Sequence, residues 1–202
     1  MATDEIKKYY SETVNRKVRD DLIIASDLVG GDRIAVDCGC GAGTDISFLR
    51  ANGFIVHAFD IEEESIKICR ERFRTDPNVF LSKNSFSLYD YPRASLINAD
   101  ASLFYCTESE FESVWGNICD SLELNGIFCG SFLGPEDEMA APSYDKDAYW
   151  SDVMVFEESE LRSKFNKFEL IKFTEHNVLG ETPTGTAHRW HIYSVIAKKI
   201  ES

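Results

Sequence analysis

Short apolar runs alternate along this chain with longer stretches whose apolar positions recur every three or four residues. The runs Arg33–Cys38, Phe54–Asp60, Asn78–Lys83, Ala94–Ala99 and Ile127–Leu133 read as strands, and two more are expected near 167–175 and 189–198. A helix is expected over residues 4–28, with Ile6, Tyr10, Val14, Val18 and Leu22 along one stripe and Gly30-Gly31-Asp32 as its stop. A second runs from Thr44 to Asn52 and ends at Gly53, a natural left-handed position. The helix over 62–74 opens on Glu62, Glu63 and Glu64 and closes on Arg70, Arg72 and Arg74, which matches the helix dipole.

Thr107-x-x-Glu110 reads as a capping box that opens a helix with Phe111, Val114, Ile118 and Leu122 on one face, ended by Asn125-Gly126. Residues 134–155 mix Gly, Pro, acids and aromatics with no clean period and read as an insertion, followed by a short helix near 157–164. Strand–helix alternation implies right-handed crossovers and a mostly parallel α/β sheet covered on both faces. The last two strands have no helix between them and should pair antiparallel. Two hundred and two residues suit a single domain, 1–202.

Composition narrows the partners. The net charge of −14 disfavours a phosphate backbone or an anionic membrane as the bound surface. The six cysteines, Cys38, Cys40, Cys69, Cys106, Cys119 and Cys129, form no CxxC pair, and Cys38-x-Cys40 is too tight for ordinary zinc ligation, so no metal site is expected. Reduced, mostly buried thiols, a polar N-terminus and no long apolar run fit a cytoplasmic protein, either monomer or homodimer.

The sharpest chemical signal is Val36-Asp-Cys-Gly-Cys-Gly-Ala-Gly-Thr-Asp45, a glycine-rich loop between a strand and a helix. Glycines there permit a tight turn and let a ligand lie against bare backbone. Asp60 ends the next strand, where an acid accepts hydrogen bonds from ribose hydroxyls. Together they point to an adenosine-containing ligand. Thr44 stands where the dinucleotide fingerprint wants its last glycine or alanine, and Asp37 and Asp45 flank the loop, so a pyrophosphate would meet repulsion. S-adenosylmethionine, with an ammonium, a sulfonium and no phosphate, suits those acids. Asp45 alone reads equally as a helix N-terminal stabiliser.

At these residues the chain resembles the class I S-adenosylmethionine-dependent methyltransferases. The resemblance implies a Rossmann-like seven-stranded sheet of order 3-2-1-4-5-7-6, its last strand antiparallel. It also implies the cofactor site: Asp37, Gly39, Cys40, Gly41 and Gly43 for the methionine part, Asp60 for the ribose, and Ile61 against the adenine. Asn84 takes the place of an acid that touches the adenine amine, followed by Ser85 and Phe86. Ala99, Asp100 and Ala101 line the floor near the sulfonium, with Asp100 serving a substrate or capping a turn. Phe156-Glu-Glu-Ser-Glu-Leu-Arg162, Phe168-Glu-Leu and Ile196-Ala-Lys-Lys199 are most similar to the tellurite-resistance methyltransferase branch. That branch carries a His-Arg pair shortly after Gly-Glu; here Thr-Pro-Thr follows Gly180-Glu181, and the only His-Arg is His188-Arg189.

The expected function is therefore methyl transfer by in-line displacement to a small molecule, a tellurite- or selenite-like oxyanion or a small metabolite. The alternatives are a protein or RNA acceptor, a non-catalytic cofactor-binding module, or a dehydrogenase. The donor is already activated, so the protein supplies mainly orientation. Substrate contacts are expected from the N-terminal helix (1–30), which covers the site, from 134–155 as a substrate lid, and from the last two strands. Tyr9, Tyr10, Tyr149, Trp150 and Trp190 are its aromatic candidates. His176, His188 and His191 are candidate bases, ligands or ordinary strand residues. Arg16, Lys17 and Arg19 either clamp a carboxylate or form a solvated face.

Overall fold

The computed structural model describes residues 4–144 and 153–201. Seven strands, β1 (Ile34–Cys38), β2 (Ile55–Asp60), β3 (Val79–Lys83), β4 (Ala94–Ala99), β5 (Leu122–Leu133), β6 (Phe168–Glu181) and β7 (Ala187–Lys199), form one sheet of order β3-β2-β1-β4-β5-β7-β6. β7 runs antiparallel to both β5 and β6, and the other pairs are parallel. Among the described residues six α-helices accompany them: α1 (Asp4–Thr13), α2 (Asp20–Leu28), α3 (Thr44–Ala51), α4 (Glu63–Arg72), α5 (Glu108–Ser121) and α6 (Glu158–Lys164). The α/β class, the strand order and the antiparallel last strand agree with the sequence expectation.

The two-residue period of the strands separates two cores. Val36, Ile97, Phe128 and Ala197 are in register across four strands and pack with Phe111, Val114, Trp115 and Ile118 of α5 and with Leu161 of α6. Their neighbours Ala35, Leu96 and Ile127 face the other way, onto Leu22 and Ala25 of α2, Ile46 and Leu49 of α3, and Ile66 of α4. Strands covered on both faces carry apolar side chains at nearly every position, which is why β4 is buried from end to end.

Several expected elements are corrected. The helix expected over 4–28 is two helices, broken at 14–19. Thr44 Oγ1 donates to the carbonyls of Thr13 (3.0 Å) and Val14 (3.1 Å), taking up acceptors at the end of α1. Arg16 and Arg19 are drawn from the break onto two carboxylates, the buried Asp45 and the half-buried Asp100, each at 2.6 Å. These long-range partners outweigh a continuous apolar stripe, and Lys17 remains a solvated residue paired with Asp20 at 2.9 Å.

The capping box at Thr107 forms differently. Its hydroxyl meets the Glu110 carboxylate at 2.6 Å instead of the helix backbone. α5 ends at Ser121, before Asn125-Gly126, and Leu122 opens β5. Asn125, with φ 66°, lies in a register shift between the pairs Ala94–Leu122 and Leu96–Ile127. β6 extends well past its expected end, β7 begins two residues before its expected start, and the two meet at a tip formed by 182–186. Of the expected lid, 145–152, which includes Tyr149 and Trp150, lies outside the described residues. Among the described residues no helix is long and apolar enough to cross a membrane.

Candidate functional site

The carboxyl ends of β1, β2 and β4 meet at the glycine loop. Gly39 N–H and Cys40 N–H both donate to Phe59 O, at 2.9 and 3.0 Å, so the loop is tied to the end of β2 as soon as it leaves β1. Gly39 has φ 75°, and a Cβ there would stand 2.6 Å from Ser102 Cβ. Gly43 has φ 79° and leads into α3; a Cβ would meet Phe73 at 2.8 Å and Cys69 Sγ at 3.0 Å. Gly43 thus serves the close approach of α3 and α4, while Gly39 and Gly41 lie on the wall of a cavity of about 550 Å3.

Asp60 is at the same place. Its Oδ2 accepts Gly41 N–H at 2.8 Å and its Oδ1 accepts Glu62 N–H at 2.9 Å. Burial raises its pKa above the ordinary carboxylate value, against the pull of these backbone N–H groups. Ile61 follows on the cavity wall with 53% of its surface exposed, an apolar side chain left facing open space in a concave site. Asn84, Ser85 and Phe86 continue the wall. Asn84 Nδ2 donates to Ser82 Oγ at 2.7 Å, and Phe86 meets Phe59 edge-on at 5.4 Å. Cys40 and Ala99 are buried behind the wall, not on it, and Cys40 Sγ lies 3.8 Å from Ser65 Oγ.

Asp37 is also behind the wall. Its Oδ1 accepts Asn98 Nδ2 at 2.8 Å, and burial, with Asp45 adding repulsion, pushes its pKa up to about 8. Asp45 is pushed up by burial too, but Arg16 sits on it at 2.6 Å. In this pair Asp37 therefore holds the proton more readily, because it has an amide where Asp45 has a guanidinium. Asp37 Oδ2, Asp45 Oδ1 and Asn98 Oδ1 are buried with no hydrogen-bond partner among the described residues. With Asp37 protonated its Oδ2 is a donor, so these three unpartnered atoms call for a bridging water or a ligand group that both donates and accepts.

The opposite half of the cavity is built from α1 (Tyr9, Tyr10), from Tyr105, Met139 and Tyr144, and from the hairpin tip with His188 and Trp190. The carboxylates on the described wall are Asp60, Glu110 and Glu138; no described Lys or Arg is on it. His188 is 7% exposed, and its Nε2 lies 3.1 Å from Oδ1 of Asp137. Its ring centre is 4.0 Å from that of Trp190.

The other sequence-derived candidates fall elsewhere. His176 is exposed on β6, off the cavity wall. Asp100 is bound to Arg19 and is likewise off the wall, although Ala101 beside it is on it. His191 is fully engaged: Nδ1 accepts Glu136 N–H at 3.0 Å and Nε2 meets Glu175 Oε1 at 2.9 Å. Asp137 and Glu138 fall within the 134–155 segment expected to supply substrate contacts but were not singled out in it, and Tyr105 and the tip 182–186 escaped sequence reasoning. Only the tip carried a signal, since Thr182-Pro-Thr-Gly-Thr186 between two apolar runs is turn chemistry.

Comparisons with known proteins bear on the domain and the fold. Residues 35–126 match the family model described as a methyltransferase domain. Comparison with curated proteins gave no match. Among solved structures, TehB from Haemophilus influenzae is similar at a TM-score of 0.75 and 17% identity, over 96% of this chain and 67% of that one. The 1,6-didemethyltoxoflavin-N1-methyltransferase of Burkholderia thailandensis, solved with 1,6-didemethyltoxoflavin and S-adenosylhomocysteine, gives 0.69 and 17%, over 98% and 86%. The N-methyltransferase NodS of Bradyrhizobium japonicum gives 0.70 and 11%, over 98% and 97%. Residues 35–126, from β1 into β5, thus carry a methyltransferase domain, and the chain as a whole has the fold of these solved structures.

Proposed function

We propose that the cavity binds S-adenosylmethionine at its glycine-loop end and that the protein transfers the methyl group to a small molecule held at the hairpin end. One observation carries this reading: a single cavity joins the Asp60–Gly41 corner to an aromatic chamber containing His188, without a described Lys or Arg on its wall. That donor set fits an adenosine without phosphates. Asp60 would accept from the ribose hydroxyls, Asn84 would meet the adenine edge, and Ile61 and Phe86 would cover its ring. Gly39 and Gly41 would leave room for the methionine part, and the unpartnered atoms around Asp37 suit a water that bridges to its ammonium.

The bound cofactor supplies an activated methyl group on a sulfonium. The chain's own part is to orient the acceptor, exclude water and remove a proton where the nucleophile carries one. α1 covers the site in this reading through Tyr9 and Tyr10, whose faces suit a cationic sulfonium. The neighbouring 1,6-didemethyltoxoflavin-N1-methyltransferase supports a small acceptor. A metalloid oxyanion and a small organic metabolite both belong to that class, and the charge of the wall separates them below. The unpaired cysteines go with a cytoplasmic setting.

Calorimetric titration with S-adenosylmethionine and S-adenosylhomocysteine tests the reading, with NADH as the contrast. Saturable one-site binding of the first two and none of NADH is expected. Binding of NADH alone would overturn it.

A further inference from the structure

We propose that the acceptor is a small amine on an aromatic or apolar body, bound as its ammonium and deprotonated by His188, with Asp137 as the residue that positions the imidazole. This inference rests on the methyltransferase reading above and specifies its substrate class.

The first support is the His188–Asp137 pair. The Asp137 side chain is fully buried. Its Oδ1 accepts Met139 N–H at 3.0 Å, its Oδ2 accepts His191 N–H at 2.9 Å, and the remaining contact is His188 Nε2 at 3.1 Å. A carboxylate only accepts, so the imidazole hydrogen belongs on Nε2 and the lone pair on Nδ1. Nδ1 is 3.8 Å from Glu138 Oε2, beyond hydrogen-bond reach. His188 is thus a cavity-wall imidazole locked by a buried partner, with one nitrogen left to take a proton.

The second support is charge. On the described wall Glu138, Glu110 and Asp60 meet no Lys or Arg. An oxyanion such as tellurite or selenite would enter a partly dry site against carboxylates, with no Lys or Arg among the described wall residues to hold it. The nearby arginines are committed: Arg189 to Glu136 at 2.6 Å, Arg16 to Asp45 and Arg19 to Asp100. An ammonium would instead find Glu138 beside His188 and the ring of Trp190. Asp137 and Glu138 are the charged groups that face His188 from the 138–140 turn, and its pair across β6 is the uncharged Gly180.

The step balances. The ammonium gives one proton to His188 Nδ1. The freed nitrogen pair forms the N–C bond to the methyl carbon as the C–S bond breaks, and that bonding pair leaves on sulfur. The product is the methylated ammonium, and His188 releases one proton to solvent.

Two probes with the same ring and opposite charge, tryptamine and indole-3-acetate, test this on the full chain loaded with S-adenosylhomocysteine. Tryptamine should bind at least about tenfold tighter, and Glu138→Gln should narrow the gap. With methyl-labelled S-adenosylmethionine, label should enter tryptamine and neither tellurite nor selenite. His188→Gln should lower kcat by about a hundredfold with KM nearly unchanged and abolish the fall in rate at low pH. Asp137→Asn should lower kcat and alter the same limb, and melting curves will identify either variant that fails to fold. Equal or tighter binding of indole-3-acetate, label in tellurite or selenite but not the amine, no label in the amine, or a wild-type pH profile in His188→Gln would each overturn the inference. Failure of S-adenosylhomocysteine to bind at the outset overturns the methyltransferase reading itself and is seen before any acceptor is added.

Discussion

Asp60 Oδ2 accepts the backbone N–H of Gly41 at 2.8 Å, so the carboxylate at the end of β2 also shapes the loop at the end of β1. One side chain therefore both sets the loop and faces the cavity. Charge-assisted bonds of this kind contribute about 2 kcal/mol, roughly thirtyfold in affinity. Asp60→Ala is expected to weaken S-adenosylhomocysteine by at least that factor in calorimetry, with the fold intact by circular dichroism. Unchanged affinity would remove Asp60 from the site.

Gly39 and Gly116 make a matched pair for backbone strain. At Gly39 a methyl group would collide with Ser102 on a left-handed backbone, whereas at Gly116, inside α5, it would meet nothing within 4 Å. Gly39→Ala should cost about 2 kcal/mol or more in urea unfolding, from strain and overlap together. Gly116→Ala should be neutral or stabilise by up to about 1 kcal/mol. Equal effects would mean that the loop relaxes freely.

Arg16 holds the break between α1 and α2 onto Asp45, whose side chain is only 9% exposed. Arg16→Ala leaves that carboxylate buried, with Asn98 at 3.4 Å as its one side-chain hydrogen-bond donor among the described residues. A loss of about 2 kcal/mol is expected, together with faster proteolysis of α1. The double variant with Asp45→Asn should recover part of the loss, and additive losses would show that the pair is not coupled.

Asp37 makes stability depend on pH. Its pKa is raised by burial, then by Asp45, from 3.8 to about 8, and Asp45 is shifted in the same direction. A carboxyl that binds its proton more tightly when folded contributes stability that is complete below its unfolded value and is lost as pH rises through its folded value. Unfolding free energy should therefore fall between about pH 4 and 8 and level off above that, with a slope of up to about 1.4 kcal/mol per pH unit. Asp37→Asn should flatten that slope, since its amide oxygen can still accept from Asn98. A variant as pH-dependent as the wild type would place the effect elsewhere.

The strands were legible because both sheet faces are covered. Ala94–Ala99 has the same bounds in the structure as in the hydrophobic pattern, since each of its residues must be apolar or satisfied inside the sheet. The glycine loop was legible because positive φ and close approach demand glycine at Gly39 and Gly43, whatever surrounds them. Helix continuity over 4–28 was misread because Thr44, Asp45 and Asp100, which break it, are distant in sequence.

By itself, then, the sequence determined the α/β class, the strand order through the family resemblance, and the corner where Asp60 meets the glycine loop. These follow from periodicity and from local backbone requirements that a short segment carries within itself. Only the tertiary structure decided which histidine faces the cavity. His176, His188 and His191 are alike in sequence, yet one is exposed, one is locked to Glu136 and Glu175, and one meets Asp137 across 51 residues of chain. That choice is made by the β6–β7 hairpin folding back over the 138–140 turn, a long-range packing event that leaves no periodic trace in the residues it brings together.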